Sequence, residues 1–204
     1  MHRPSRLKVR TGRRISLSTE RPLIASFDLA TQTGVCVGRP GDKGPMTMTW
    51  DLRRAGPTRP QRFAYLFDLC MNLFQDSGET IDIVRFESPL NIRVLMKIGA
   101  SDETVTLLRG AIGVLEAATA KAGIGDVAAI SVQDARKHFL GQATFKKNKA
   151  GKSPAKDYVL RQCEILGYKV STDHEADAVA IFSYASALLN PRLAVLTTPL
   201  FGNT

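Results

Sequence analysis

Two acids close short apolar runs in the first half of the chain, and a histidine and a third acid open a helical stretch near its end. Asp28 follows Leu23-Ile24-Ala25-Ser26-Phe27, and Glu87 follows Ile81-Asp82-Ile83-Val84-Arg85-Phe86. His174 and Asp177 stand three apart in Thr172-Asp173-His174-Glu175-Ala176-Asp177-Ala178-Val179-Ala180. Hard divalent cations such as Mg²⁺ prefer oxygen ligands, and a pair of them clamps both the attacking and the leaving oxygen of a phosphodiester. Carboxylates at the ends of neighbouring strands, faced by a helix that opens with His and Asp, have the donor types for that chemistry. His174 and Asp177, at i and i+3, share one helix face. Both lie in the first turn, where the helix dipole favours a phosphate or a carboxylate.

Each residue alone has a plainer reading. Asp28 is also what a strand-end turn uses, and Glu87 before Ser-Pro is also a solvated loop acid. His174 equally suits a capping turn, with Asp173 beside it competing as the ligand. Asp177 is harder to explain away, because its Ala and Val neighbours predict a packed helix in which an unpaired charge is costly.

The elements that must position these residues follow from periodicity and punctuation. Short apolar runs bounded by breakers predict strands at 23–29, 34–38, 46–52, 81–87 and 126–132, with a turn at Thr31-Gln32-Thr33-Gly34 folding the first two into a hairpin. Apolar residues at helical spacing predict a helix at 61–75. A long helix capped by Ser101 or Asp102 runs to 122 and stops at Gly123. Helices at 133–140 and 153–166 follow, separated by a Gly/Lys-rich loop at 141–152. The last helix starts with the capping box Thr172-Asp173-His174-Glu175 and ends at Asn190-Pro191. The order predicts an α/β domain with a five-stranded mixed sheet and helices on both faces.

Charge is unevenly distributed over the 204 residues, whose net charge is +9. Residues 1–14 hold six Lys/Arg and no acid, and residues 136–156 hold seven (Arg136, Lys137, Lys146, Lys147, Lys149, Lys152, Lys156) and no acid. The remainder is mildly acidic. Concentrated positive charge suits a polyanion, because each neutralised phosphate releases counterions. The first segment is read as a flexible basic arm over 1–21, with a solubilising tail or an Arg-rich organelle transit peptide as the alternative. The domain proper spans 22–190, and 191–204 is a tail. Cys36, Cys70 and Cys163 are too scattered for a structural zinc site or a disulfide framework, which predicts buried, reduced thiols and a cytoplasmic protein. No apolar stretch is long enough to span a membrane.

The combined pattern resembles the RNase H-like superfamily and, within it, the RuvC-type Holliday junction resolvases, especially divergent phage and prophage members. The resemblance rests on Phe27-Asp28-Leu29-Ala30-Thr31-Gln32-Thr33-Gly34, Phe86-Glu87-Ser88-Pro89-Leu90, and the small-residue helix around Leu108-Arg109-Gly110-Ala111-Ile112-Gly113. It extends to Val132-Gln133-Asp134-Ala135-Arg136-Lys137, Lys156 and His174-Glu175-Ala176-Asp177, and covers about residues 23–190. It implies a metal-dependent crossover junction endodeoxyribonuclease in which Asp28, Glu87, His174 and Asp177 hold two Mg²⁺ ions, with Mn²⁺ as substitute. Arg136 and Lys156 would contact the DNA backbone and the scissile phosphate. The resemblance also implies a homodimer on branched DNA, with the helix from Ser101 supplying much of the interface and Gly110, Ala111 and Gly113 permitting close approach.

One departure stands out. Family members often place an aromatic ring shortly after the second acid, whereas this chain reads Ser88-Pro89-Leu90-Asn91-Ile92. Leu90 and Ile92 are then the candidates for an apolar wedge at the junction centre. Two other classes compete. Asp28-Leu29-Ala30-Thr31 also resembles the first phosphate loop of actin-like and sugar-kinase ATPases, but no second phosphate loop appears. A non-catalytic DNA-binding module on the same fold is the third reading, opposed by the intact set of acids and histidine.

Overall fold

The computed structural model describes residues 21–76, 78–88, 99, 101–145 and 154–192. Among the described residues five strands make one sheet: β1 (Ile24–Asp28), β2 (Gln32–Gly38), β3 (Met46–Asp51), β4 (Ile83–Glu87) and β5 (Asp126–Ile130). Their spatial order is β3-β2-β1-β4-β5. The β1–β2 and β2–β3 pairs are antiparallel, while β1–β4 and β4–β5 are parallel. The helices among the described residues are α1 (Arg59–Asp76), α2 (Asp102–Ala122), α3 (Val132–Leu140), α4 (Ala155–Leu166) and α5 (Asp173–Leu189).

Side-chain alternation along the strands divides the core in two. Ala25 and Phe27 of β1, with Val84 and Phe86 of β4, face a cluster built with α1 and α2. Ile24 and Ile83 point the other way, into a cluster built with α3, α4 and α5. Phe27 anchors the first cluster, its ring 5.8 Å from Trp50 and 6.3 Å from Phe74. Burying a side chain of this size contributes about 1.5–3 kcal/mol. The same period of two puts Asp28 and Glu87 on the α5 side. Helix α5 is buried almost all round from Glu175 to Ser186, as expected of a helix apolar on every face. Ser26, fully buried, donates its hydroxyl to the Ala178 carbonyl at 2.8 Å and so ties β1 to α5.

Several boundaries differ from expectation. Gly34 is not a turn residue: β2 begins at Gln32, and Gln32 and Thr33 pair with Asp51 and Trp50 of β3. The turn contracts to Leu29–Thr31 and is closed by Thr33, whose hydroxyl donates to the Ala30 carbonyl at 2.8 Å. Leu52 leaves β3 for a 3₁₀ turn, Leu52–Ala55, in which the Asp51 side chain caps the Arg53 amide. Ser131 is the N-cap of α3 and so ends β5 early, and Ser101, not Asp102, caps α2. Gly123 stops α2 with φ of 78°, as the sequence predicts.

The small residues of α2 need a correction too. A Cβ on Gly110 would fall 2.1 Å from the Phe63 ring of α1, and Ala111 is buried in the chain's own core. Both serve packing within the chain. Gly113 faces open space. The three cysteines are free and buried, and burial pushes the Cys70 and Cys163 thiols up to about 12. Among the described residues no helix is long and apolar enough to cross a membrane.

Candidate active site

Two parallel strands and one helix N-terminus bring the site together. Phe27 pairs with Phe86 in the β1–β4 register, so one step on, Asp28 and Glu87 end adjacent strands side by side. Ligand sites in open α/β sheets favour such carboxyl ends. Helix α5 crosses this edge with its first turn. Its backbone comes so close to β2 that a Cβ on Gly34 would lie 1.9 Å from the His174 carbonyl oxygen. Gly34 is the register partner of Asp28. The absent side chain is what lets His174 reach Asp28.

The first turn of α5 is held by its cap. Thr172 accepts from the Glu175 amide at 3.1 Å, and buried Glu175 accepts from the Ser171 amide at 2.7 Å and the Thr49 hydroxyl at 2.9 Å. The capping box therefore closes one residue earlier than the sequence predicts and also fastens α5 to β3. Gly34 and Ser26 are positioning residues that sequence reasoning missed, and Glu175, read there only as part of the capping box, also holds β3. Gly34 carried a visible signal, a glycine at the head of an apolar strand, but it reads in the sequence as a turn residue.

Asp28 and Asp177 are both more than nine-tenths buried. His174 Nδ1 lies 2.9 Å from Asp28 Oδ2, with the ring nitrogen donating to the carboxylate. Asp177 pairs with Arg136 at 3.6 Å, and the buried Arg136 Nε has no partner. Asp173 is bonded to Lys156 at 2.5 Å, which draws it to the rim, while His174 turns inward. Lys137 is exposed on α3. Lys146, Lys147, Lys149, Lys152, Leu90 and Ile92 lie outside the described residues, as do the arm up to residue 20 and the tail from 193.

Electrostatics records the crowding of acids. Burial, then the charge and hydrogen bond of Asp28, then the charge of Asp177, push Glu87 up to about 8 against the pull of Arg136. Asp177 is also raised, by burial and by Asp28, against Arg136 and Lys156. The hydrogen bond to Asp28 holds His174 above its ordinary value. Burial depresses the Lys156 ammonium, but the hydrogen bond and charge of Asp173, with Asp177 and Asp28, more than offset it.

Among the described residues, no three His, Cys, Asp or Glu side chains stand ready around one point to hold a metal ion. Asp28 is engaged by His174 and Asp177 by Arg136, while burial and the neighbouring acids keep Glu87 protonated near neutrality. The donor set nevertheless fits hard cations. Three carboxylates have too little positive charge between them, so that one retains its proton near neutrality, and a cation would relieve that deficit.

No family model and no curated protein matches the chain. Solved structures do. The chain is similar to Thermus thermophilus RuvC in complex with Holliday junction substrate, at 17% identity and a TM-score of 0.61, covering 85% of this chain and 96% of that one. It is likewise similar to a structure of Thermus thermophilus RuvC, at 19% identity and a TM-score of 0.59, with coverages of 84% and 96%. Likeness at this identity establishes the fold. The five-stranded mixed sheet with helices on both faces is the RNase H-like fold in its RuvC-like form.

Proposed function

We propose that the chain is a metal-dependent, structure-selective endodeoxyribonuclease that resolves Holliday junctions or other branched DNA. The observation that carries this reading is the convergence of Asp28, Glu87, His174 and Asp177 on one edge of the sheet. The fold supports it, being shared with a protein solved in complex with a Holliday junction substrate. Affiliation with phage-type members rests on the motif pattern alone.

Asp28, Glu87, His174 and Asp177 would hold two Mg²⁺ ions, or Mn²⁺ in their place. Bound there, the pair supplies Lewis acidity on both sides of the phosphodiester. In the net reaction a water oxygen bonds phosphorus, the bond to the 3′ oxygen breaks, and the departing oxygen takes a proton. Glu87 would have to lose its proton to serve as one of the carboxylates that hold the ions. Asp28 fixes the His174 ring through Nδ1, leaving Nε2 as the nitrogen available to a ligand or a water. Arg136, with an unused buried N–H, offers that donor to a phosphate oxygen. Lys156 and Lys137, with Lys146, Lys147, Lys149 and Lys152, grip the backbone without reading sequence.

A homodimer would set two such sites on opposite strands of a four-way junction. The outer face of α2, where Gly113 is open, remains the candidate interface. The working place of such an enzyme is the cytoplasm, where its DNA is. The test is incubation of the purified chain with labelled four-way, forked and linear DNA, with Mg²⁺ or with EDTA. Mg²⁺-dependent nicking of the branched substrates is expected. Equal cutting of linear duplex would remove the structure selectivity, and no cutting of any of the three would remove the nuclease.

A further inference from the structure

A shallow cleft of about 130 Å³ opens between the end of α3 and the outer face of α4. It is well under the roughly 300 Å³ at which small-molecule pockets begin, so it suits one flat ring system and little more. Tyr158, Arg161, Gln162 and Ile165 line it, at i, i+3, i+4 and i+7 of α4, and therefore form one continuous stripe. The inner face of the same helix carries Val159 and Cys163 into the core.

Three observations give the cleft its chemistry. Phe145 stacks on Tyr158 with ring centroids 5.0 Å apart and planes 21° from parallel, and Tyr158 is 46% exposed. Gln162 is only 7% exposed, yet its amide nitrogen has no hydrogen-bond partner. Buried amide donors are nearly always satisfied, so an unsatisfied one in a cleft wall points to a missing acceptor. Arg161 adds a cation to the lining. Aromatic faces beside a cationic side chain are how proteins hold unpaired bases without regard to sequence.

We propose that this cleft binds a single unpaired DNA base, stacked on the Phe145–Tyr158 pair, with the Gln162 amide donating to a ring acceptor and Arg161 meeting the adjoining phosphate. The inference rests on the nuclease reading for its ligand class and adds a subsite to it. The cleft would supply the ring that the stretch after Glu87 lacks. Lys156, in the same first turn of α4 as Tyr158, is bonded to Asp173 next to His174 and so joins the subsite mechanically to the active site.

The test uses the full chain and two DNAs of one sequence, one with a single unpaired 2-aminopurine at a branch point and one with that base paired in linear duplex. The parent protein should alter the fluorescence of the unpaired probe and prefer that DNA. Tyr158→Phe should keep both properties. Tyr158→Ala should lose the fluorescence change and weaken the preference by about 5- to 150-fold, the range expected for one stacked base, with duplex affinity unchanged. Gln162→Leu, which keeps the shape and removes the donor, should weaken the same preference. Undiminished preference in Tyr158→Ala overturns the subsite and leaves the nuclease reading intact. A parent that binds neither DNA overturns both.

Discussion

Glu87 keeps its proton to about pH 8 because burial and two neighbouring carboxylates make its charge costly. Between its ordinary value of 4.5 and about 8 the folded protein holds a proton that the unfolded chain has released. Metal-free stability must therefore fall as pH rises through that window. His174 acts in the same sense: its contribution is whole below its ordinary 6.5 and is lost as pH rises through the higher folded value. Asp173, held low by Lys156, works oppositely and at lower pH. Urea unfolding in EDTA should show stability declining from pH 5 to 8, and Glu87→Gln should flatten the decline. A parent that gains stability over that range would contradict the assignment. His174→Ala should slow cleavage by about 10- to 100-fold, because the ring that Asp28 orients would be lost as a ligand or as the group that orients a water. His174→Asp should retain more activity than the alanine variant, because a carboxylate also suits Mg²⁺. Parent-like cleavage by His174→Ala would reduce the histidine to part of the cap. That Asp28, Glu87, His174 and Asp177 could meet was legible in the sequence, because the first two close strands and the last two lie near the start of one helix. The ring's engagement with Asp28 was not, since it depends on how two elements far apart in sequence approach.

That approach is decided at the level of elements. Strands and helices followed from apolar periodicity within a few residues, and the caps at Ser101, Gly123 and Thr172 could be read from residue type. What escaped was the contact between α5 and β2. Gly34 looked like a turn glycine, yet it sits in the ladder opposite Asp28, and its hydrogen makes room for a helix turn. In the same way Gly110 looked like a dimer contact and is a seat for Phe63. Small residues mark close approach, but local sequence does not say which partner approaches. Gly34→Ala must push α5 away from β1, at a cost of about 1–3 kcal/mol for overpacking, and lengthen the His174–Asp28 contact. Cleavage should fall by more than tenfold in a protein that still folds, as shown by its urea transition. Activity equal to the parent would mean that the position of α5 matters less than argued. Glu175→Ala, which strips the Ser171 amide and Thr49 of their acceptor, should cost about 1–3 kcal/mol.

For the whole molecule, the proposed function assigns affinity to charge and chemistry to the buried acids. If each of Lys146, Lys147, Lys149, Lys152 and Lys156 meets a phosphate, the logarithmic salt dependence of binding should shrink by about 0.9 for every lysine removed. Junction and duplex should weaken alike, because phosphate contacts carry no sequence or branch information. An unchanged slope in the five-lysine variant would mean that these residues only solvate the surface. Removing residues 1–20 should cost less than removing the lysines, because an arm of the kind the sequence predicts there would lose ordering entropy on docking. The central claim is that affinity and catalysis are separable in this chain. It is tested most directly by single-turnover nicking of a labelled four-way junction, comparing the parent with Asp28→Asn, Glu87→Gln and Asp177→Asn, and measuring junction affinity in the same buffers. Each variant should bind within a few-fold of the parent and cleave more than about 100-fold more slowly, a larger loss than removing an outer partner of a ligand produces. Mg²⁺-dependent nicking by Asp28→Asn at the parent's rate would contradict the account.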